Sequence, residues 1–164
     1  MFKHVARGAL MFSLMLPALV LAKSPLDGVW RLDNVKSYWT DGNMPKGMSL
    51  TVKVDFDGNA LDYYSVNDTN PAKKTTLRYH IPMDGKSHPL PEHGPEDRYN
   101  AVSVSRMGPR EFQFLKLKGD DVVVGEFWEY SADGKHLVRK GVGKSVEGKS
   151  KAFVEYFDRT DKMP

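Results

Sequence analysis

The sequence of 164 residues predicts an all-β fold: an antiparallel up-and-down meander of eight or nine strands closing into a barrel, with a β-sandwich as the second choice. Three observations carry this reading. Asp-Gly, a pair that turns a chain tightly, occurs five times, at Asp27-Gly28, Asp41-Gly42, Asp57-Gly58, Asp84-Gly85 and Asp133-Gly134. Between these turns the apolar residues recur with a period near two, the period of a strand with one buried face. After residue 22 no segment has helical period apart from a single turn at Ser24 to Asp27, which excludes the alternating strands and helices of a nucleotide-binding sheet. A long meander removes its exposed edges most simply by closing.

The elements follow in order. Residues 28–33 open the series. Residues 48–56 alternate Leu50, Val52, Val54 and Phe56 with Ser49, Thr51, Lys53 and Asp55, the pattern of a half-buried strand. Residues 60–66 and 75–81 continue it, the latter with Leu77, Tyr79 and Ile81 on one face. From His80 to Tyr99 the pattern breaks: Pro82, Pro89, Pro91 and Pro95 remove backbone donors, so this stretch is largely loop. Residues 99–106, 110–118, 121–131, 136–142 and 151–158 complete the meander. In 121–131 one face carries Val122, Val124, Glu126, Trp128 and Tyr130. In 151–159 one face carries Phe153, Glu155, Phe157 and Arg159. A carboxylate in each apolar row implies an interior with some polar content.

Residues 1–22 read as a signal peptide. Lys3, His4 and Arg7 make a positive start, residues 9–22 form a short apolar run, and Val20 and Ala22 precede a cleavage point before Lys23. The expected organisation is therefore a signal at 1–22 and a single barrel domain at 23–164, located in the periplasm or secreted. Removing 22 residues from 164 leaves 142, enough for one core and too few for two. The processed chain has no stretch of 18 apolar residues and is expected not to span a membrane. Its charge falls from +3 to +1, because Lys3 and Arg7 depart without any acid. That balance argues against nucleic acid as a partner. With no cysteine the protein is neither a disulfide scaffold nor a lipoprotein.

Several short motifs together resemble a group of small exported bacterial proteins with a lipocalin-like, or calycin-like, barrel. They are Gly28-Val29-Trp30, Met83-Asp84-Gly85-Lys86 with Pro89, Ala101 to Arg106, Ser131 to Leu137, and Val154-Glu155-Tyr156-Phe157-Asp158-Arg159. The resemblance implies a ligand-sized interior without naming a ligand. It also implies that Trp30 packs across the barrel floor under Arg159, a structural cation–π closure. The chain departs from secreted lipocalins in having no cysteines.

Motifs that suggest other chemistry weaken in context. Gly143 to Ser150 satisfies G-x-x-x-x-G-K-S, yet a strand pattern follows where a phosphate-binding loop needs a helix. His80, His88, His93 and His136 fit no tight zinc spacing, so no metal and no cofactor is expected. No Cys and no Gly-x-Ser-x-Gly elbow offers a nucleophile, so an enzyme is the third choice after a binder and an interaction module. Glu126 and Glu155 are the carboxylates expected to point inward. They orient a ligand, pair with Arg106 or Arg139, or lie on the outer face; an acid/base pair is the least favoured role. Trp39, in the loop-like stretch from Ser37 to Lys46, is a candidate for the barrel mouth beside Tyr38. The candidate ligand-facing set is thus Trp39, Tyr63, Tyr79, Glu126, Trp128, Phe153 and Glu155, with core packing as the alternative for its aromatic members. The expected ligand is a small hydrophobic or amphipathic molecule. The alternative is an interaction module acting through loops 38–47 and 82–98.

Overall fold

The computed structural model describes residues 24–94, 96–145 and 147–164; the expected signal segment lies outside them. Ten strands run β1 (Gly28–Trp39), β2 (Leu50–Asp57), β3 (Ala60–Asn67), β4 (Thr75–Pro82), β5 (His88–Pro89), β6 (Ala101–Arg106), β7 (Glu111–Lys118), β8 (Asp121–Tyr130), β9 (His136–Lys144) and β10 (Ser150–Thr160). All pairings are antiparallel in one sheet ordered β4-β3-β2-β1-β10-β9-β8-β7-β6-β5. The first and last strands are hydrogen-bonded neighbours, so the meander curls back on itself. The ends of the sheet are β4 and β5, and the segment between them reaches β6 through an isolated Asp84–Ser105 bridge and the Gly85 N–H donating to the Val104 carbonyl at 2.9 Å. The barrel is nearly closed. The one helical element described is a 3-10 turn at Pro71–Lys73, and among the described residues no helix is long and apolar enough to cross a membrane.

In the hairpin turns only glycine takes the left-handed conformation. No described non-glycine residue has positive φ. At the β2–β3 turn Asp57 pairs with Ala60, which leaves Gly58 and Asn59 as the two-residue loop with only Gly58 left-handed, at φ 56°. That is the arrangement in which glycine at the first central position alone carries the strained angle. The segment from Gly143 to Ser150 joins β9 to β10 as a hairpin, with the Ser145 N–H donating to the Lys149 carbonyl.

One irregularity aims a functional candidate. Asp33 pairs with Tyr156 and Tyr38 with Val154, so β1 spends five steps where β10 spends two. The Asp33 carboxylate accepts from the N–H groups of Val35 and Lys36, and Ser37 Oγ donates to the Asp33 carbonyl while accepting from the Tyr156 N–H. This bulge inverts the alternation. Trp30 and Leu32 face inward before it, and Trp39, opposite inward-facing Phe153, does so after it. Trp39 therefore ends a strand rather than sitting in a loop, and Tyr38 points outward, 54% exposed.

The lower half of the barrel is filled. Trp30, fully buried, meets Tyr130 edge-on at 5.1 Å between centroids, and Phe56 stacks on Phe112 at 4.8 Å. Arg159 closes this end, its guanidinium carbon 4.5 Å from the Trp30 ring centroid. Its Nη1 donates to the Asp27 carbonyl at 2.8 Å, its Nη2 to Pro25 at 2.6 Å and its Nε to Gly134 at 2.5 Å. Gly28 leaves the room: a Cβ there would lie 2.6 Å from Arg159 Nη1. Glycine also accepts the φ of 156° that opens β1.

Candidate functional site

Above the aromatic layer three inward rows run toward the opposite end: Phe112, Phe114 and Lys116 on β7; Val124, Glu126 and Trp128 on β8; Leu137, Arg139, Gly141 and Gly143 on β9. Their charged members meet Glu155 of β10 in one chain of contacts. Lys116 Nζ donates to Glu126 Oε1 at 2.6 Å and Trp128 Nε1 to Glu126 Oε2 at 2.9 Å. Arg139 Nη1 lies 3.8 Å from Glu126 Oε2, while Arg139 Nε and Nη2 both donate to Glu155 Oε2. Trp39 Nε1 completes the chain by donating to Glu155 Oε1 at 3.0 Å. Glu126, Arg139 and Glu155 are only 3%, 5% and 4% exposed. Charges so deeply buried persist only when paired and hydrogen-bonded, and these are.

Burial alone would raise the Glu126 carboxyl, but Lys116 and Arg139, with the bonds from Lys116 and Trp128, overcome it and hold the group at about 2. Burial works against the Lys116 ammonium too, and the facing Glu126 carboxylate reverses the sign and raises it. Glu126 is therefore an ionised structural anion near neutral pH and a poor proton donor. Of the two pairing partners expected for the glutamates, Arg139 is the one used. Arg106 lies outside, donating to the carbonyls of Gly108 and Pro109.

The charged chain forms the base of a cavity of about 270 Å³ that opens at the barrel mouth. Its apolar walls are Trp39, Met48, Leu50, Val124 and Phe153. Gly143 keeps it open from β9, and Arg98 and Lys151 stand at its rim. Lys151 Nζ sits 3.0 Å from the Trp39 ring centroid. The proline-rich segment reaches the cavity through Arg98 and is anchored beside it: Leu90 is buried in the core, His93 stacks on Tyr99 at 5.7 Å, and Lys116 Nζ lies 5.4 Å from the Tyr99 centroid.

The structure thus brings together four of the sequence candidates, Trp39, Glu126, Phe153 and Glu155. The other three lie below the cavity. Tyr63 stacks on Tyr79 at 4.5 Å, Trp128 stacks on Phe114 at 4.2 Å, and Tyr63 and Trp128 approach to 6.1 Å, so these rings fill the middle of the barrel. Burial pushes both tyrosine hydroxyls up in pKa. Sequence reasoning missed Lys116, Arg139 as the hub, and the rim cations Arg98 and Lys151. Lys116 had a usable signal, since it extends the row begun by Phe112 and Phe114. Arg98 had none, because it leaves an aperiodic loop.

The histidines pair singly with aspartates: His80 with Asp62 at 3.0 Å, His88 with Asp84 at 2.8 Å and His136 with Asp158 at 2.7 Å. His93 approaches Asp97 at 3.4 Å without hydrogen-bond alignment. Among the described residues no three His, Cys, Asp or Glu side chains form a group able to hold a metal ion.

Comparison with known proteins places this architecture. No family model matches the chain, and no curated protein does. Among solved structures, the zebrafish ileal bile acid-binding protein complexed with cholic acid is similar with a TM-score of 0.50 and 12% identity, over 84% of this chain and 100% of that one. An odorant-binding protein from bovine nasal mucosa gives 0.46 and 15%, over 86% and 75%. Lipid binding protein 8 of Caenorhabditis elegans gives 0.47 and 13%, over 83% and 96%. Identity this low speaks to fold alone, and with the meander, the β1–β10 closure and the Trp30–Arg159 floor it leads to one conclusion: the chain has a lipocalin-like, or calycin-like, β-barrel fold.

Proposed function

We propose that this protein is an exported binding protein, not an enzyme, which holds a small, partly apolar molecule in the mouth half of its barrel. The observation that carries the reading is the cavity of about 270 Å³, walled by Trp39, Met48, Leu50 and Phe153 above a base of fully paired charges. The lining is about as polar as it is apolar, which suits a ligand with both characters, and the volume lies just under the usual range of roughly 300–1,000 Å³ for small-molecule sites. The bile acid-binding neighbour supports the reading by analogy of fold. Export rests on the positive start and apolar run of residues 1–22. Native mass spectrometry of the protein purified from its own envelope fraction, followed by extraction, tests it. A stoichiometric small-molecule adduct is expected; a clean apo mass with no thermal shift across a panel of small amphipathic compounds contradicts it.

A second reading, a protein-interaction module, has its own support. Phe127 of β8, Val142 of β9 and Tyr156 of β10 are exposed on the barrel's outer wall, 52%, 61% and 36% respectively. In the same experiment this reading predicts a protein complex in place of a small-molecule adduct.

A further inference from the structure

The geometry points to a small organic anion as the occupant of the mouth cavity, its acid group held at the rim by Arg98 and Lys151 and its apolar body against Trp39, Leu50 and Phe153. This rests on the reading of the cavity as a binding site and specifies which ligand class it selects.

The argument is one of charge left over. Four cations line the cavity, Arg98, Lys116, Arg139 and Lys151, against two carboxylates, Glu126 and Glu155. Both carboxylates are consumed at the base, Glu126 by Lys116, Trp128 and Arg139, Glu155 by Arg139 and Trp39. Arg139, wedged between two glutamates, has no unmet need for an anion. The rim is different. Lys151 has one salt-bridge partner, Asp41, at 3.8 Å, and Arg98 has none among the described residues. Arg98 also lies over the mouth, its Nη2 3.1 Å from the position a Cβ on Gly143 would take. An adjoining hollow carries more cations than acids: Lys118 and Lys144 lie with Arg98 and Glu96 around it, and Lys144 holds Asp121 at 3.1 Å.

The surroundings of Lys151 favour an anion. Its ammonium lies over the Trp39 face, where a ring quadrupole stands in for a counter-ion. Burial lowers its pKa, and the nearby charge of Arg98 adds to this against the pull of Asp41 and Glu155. An anion between Arg98 and Lys151 relieves that repulsion and leaves the Trp39 face for the ligand's apolar body. The cavity of about 270 Å³ is open at the mouth, so a compact body of two or three rings can seat on its walls with the acid group at the rim.

The test uses two fluorescent probes with the same naphthyl-phenylamine body, one bearing a sulfonate (1-anilinonaphthalene-8-sulfonate) and one neutral (N-phenyl-1-naphthylamine). The unmodified protein is expected to bind the sulfonate roughly tenfold or more tightly than the neutral probe, the scale of one charge-assisted hydrogen bond. Raising salt from about 0.05 to about 0.5 M should weaken the sulfonate and leave the neutral probe unaffected. In Arg98→Gln/Lys151→Gln the preference should collapse toward unity. Equal binding of the two probes by the unmodified protein, or a preference that survives the double substitution and high salt, overturns the anion assignment while leaving the cavity a binding site. Binding of neither probe overturns both.

Discussion

The two ends of the barrel are built on opposite principles. At the floor Trp30, Phe56, Phe112 and Tyr130 fill the lumen with rings, and the cations there stay outside them: Arg159 spends its donors on backbone carbonyls, and Arg106 lies over the Phe112 ring at 5.4 Å. At the mouth the lumen holds an ion network and a cavity, with cations at the rim beyond what the carboxylates need. Rings packed at the floor stabilise the fold through burial. Buried charges at the mouth contribute little net stability over apolar replacements, so their presence there is better explained by what the mouth receives.

The largest effects should separate the ends. Trp30→Ala is expected to destabilise by about 3–5 kcal/mol in chemical denaturation, because it empties a fully packed layer. Phe153→Ala, on a wall already bordering open space, should cost about half of that or less. Equal losses would mean that the mouth is packed as tightly as the floor.

Breaking the network should be as severe as Trp30→Ala, yet reparable. Arg139→Met leaves Glu126 and Glu155 buried with one cation between them and is expected to cost about 3–5 kcal/mol. Adding Glu126→Leu and Glu155→Leu together with Lys116→Met, so that no buried charge is left unpaired, should restore most of that stability. If this quadruple variant stays as unstable as the single one, the network is a stability element and the contrast fails.

Acid offers a milder version. The Glu126 carboxyl sits at about 2 against an ordinary 4.5, so its contribution is complete above pH 4.5 and is lost as pH falls toward 2. At about 1.4 kcal/mol per unit, the loss over that window is on the order of 3 kcal/mol. Denaturation midpoints measured from pH 7 to 2 should show this phase, and Glu126→Gln should lower stability at pH 7 and flatten it.

The smallest effect belongs to the floor's closure. Gly28→Ala places a methyl against Arg159 Nη1 in a backbone conformation alanine rarely adopts, for a loss of about 1–3 kcal/mol. Arg159→Ala in the same background should then cost less than it does alone, since the two changes disrupt one contact.

How much of this was legible in the sequence also divides by end. The strand order could be read because it depends on local alternation, and the pairing of Trp30 with Arg159 because the resemblance to lipocalin-like barrels implied it. Glu126 and Glu155 stood out as carboxylates in apolar rows, and both point inward. Trp39 was harder. Its inward direction depends on a bulge whose side-chain and backbone bonds reverse the strand's phase, and alternation carries no sign of that. Tyr63, Tyr79 and Trp128 share the inward rows with the cavity residues, and only the depth of each along its strand distinguishes filler from wall. Depth is a property of the closed barrel. Arg98 reaches the rim from a proline-rich loop with no period to read.

The most direct test uses the three tryptophans, whose indole N–H groups report from floor (Trp30), middle (Trp128) and mouth (Trp39). Titrating 1-anilinonaphthalene-8-sulfonate into ¹⁵N-labelled protein and following these three signals by NMR locates the occupied region. A saturable shift of Trp39, with a smaller one at Trp128 and none at Trp30, is the result expected of a mouth-half binding site. Shifts confined to the outer-wall residues Phe127, Val142 and Tyr156, with all three indoles unmoved, would contradict it.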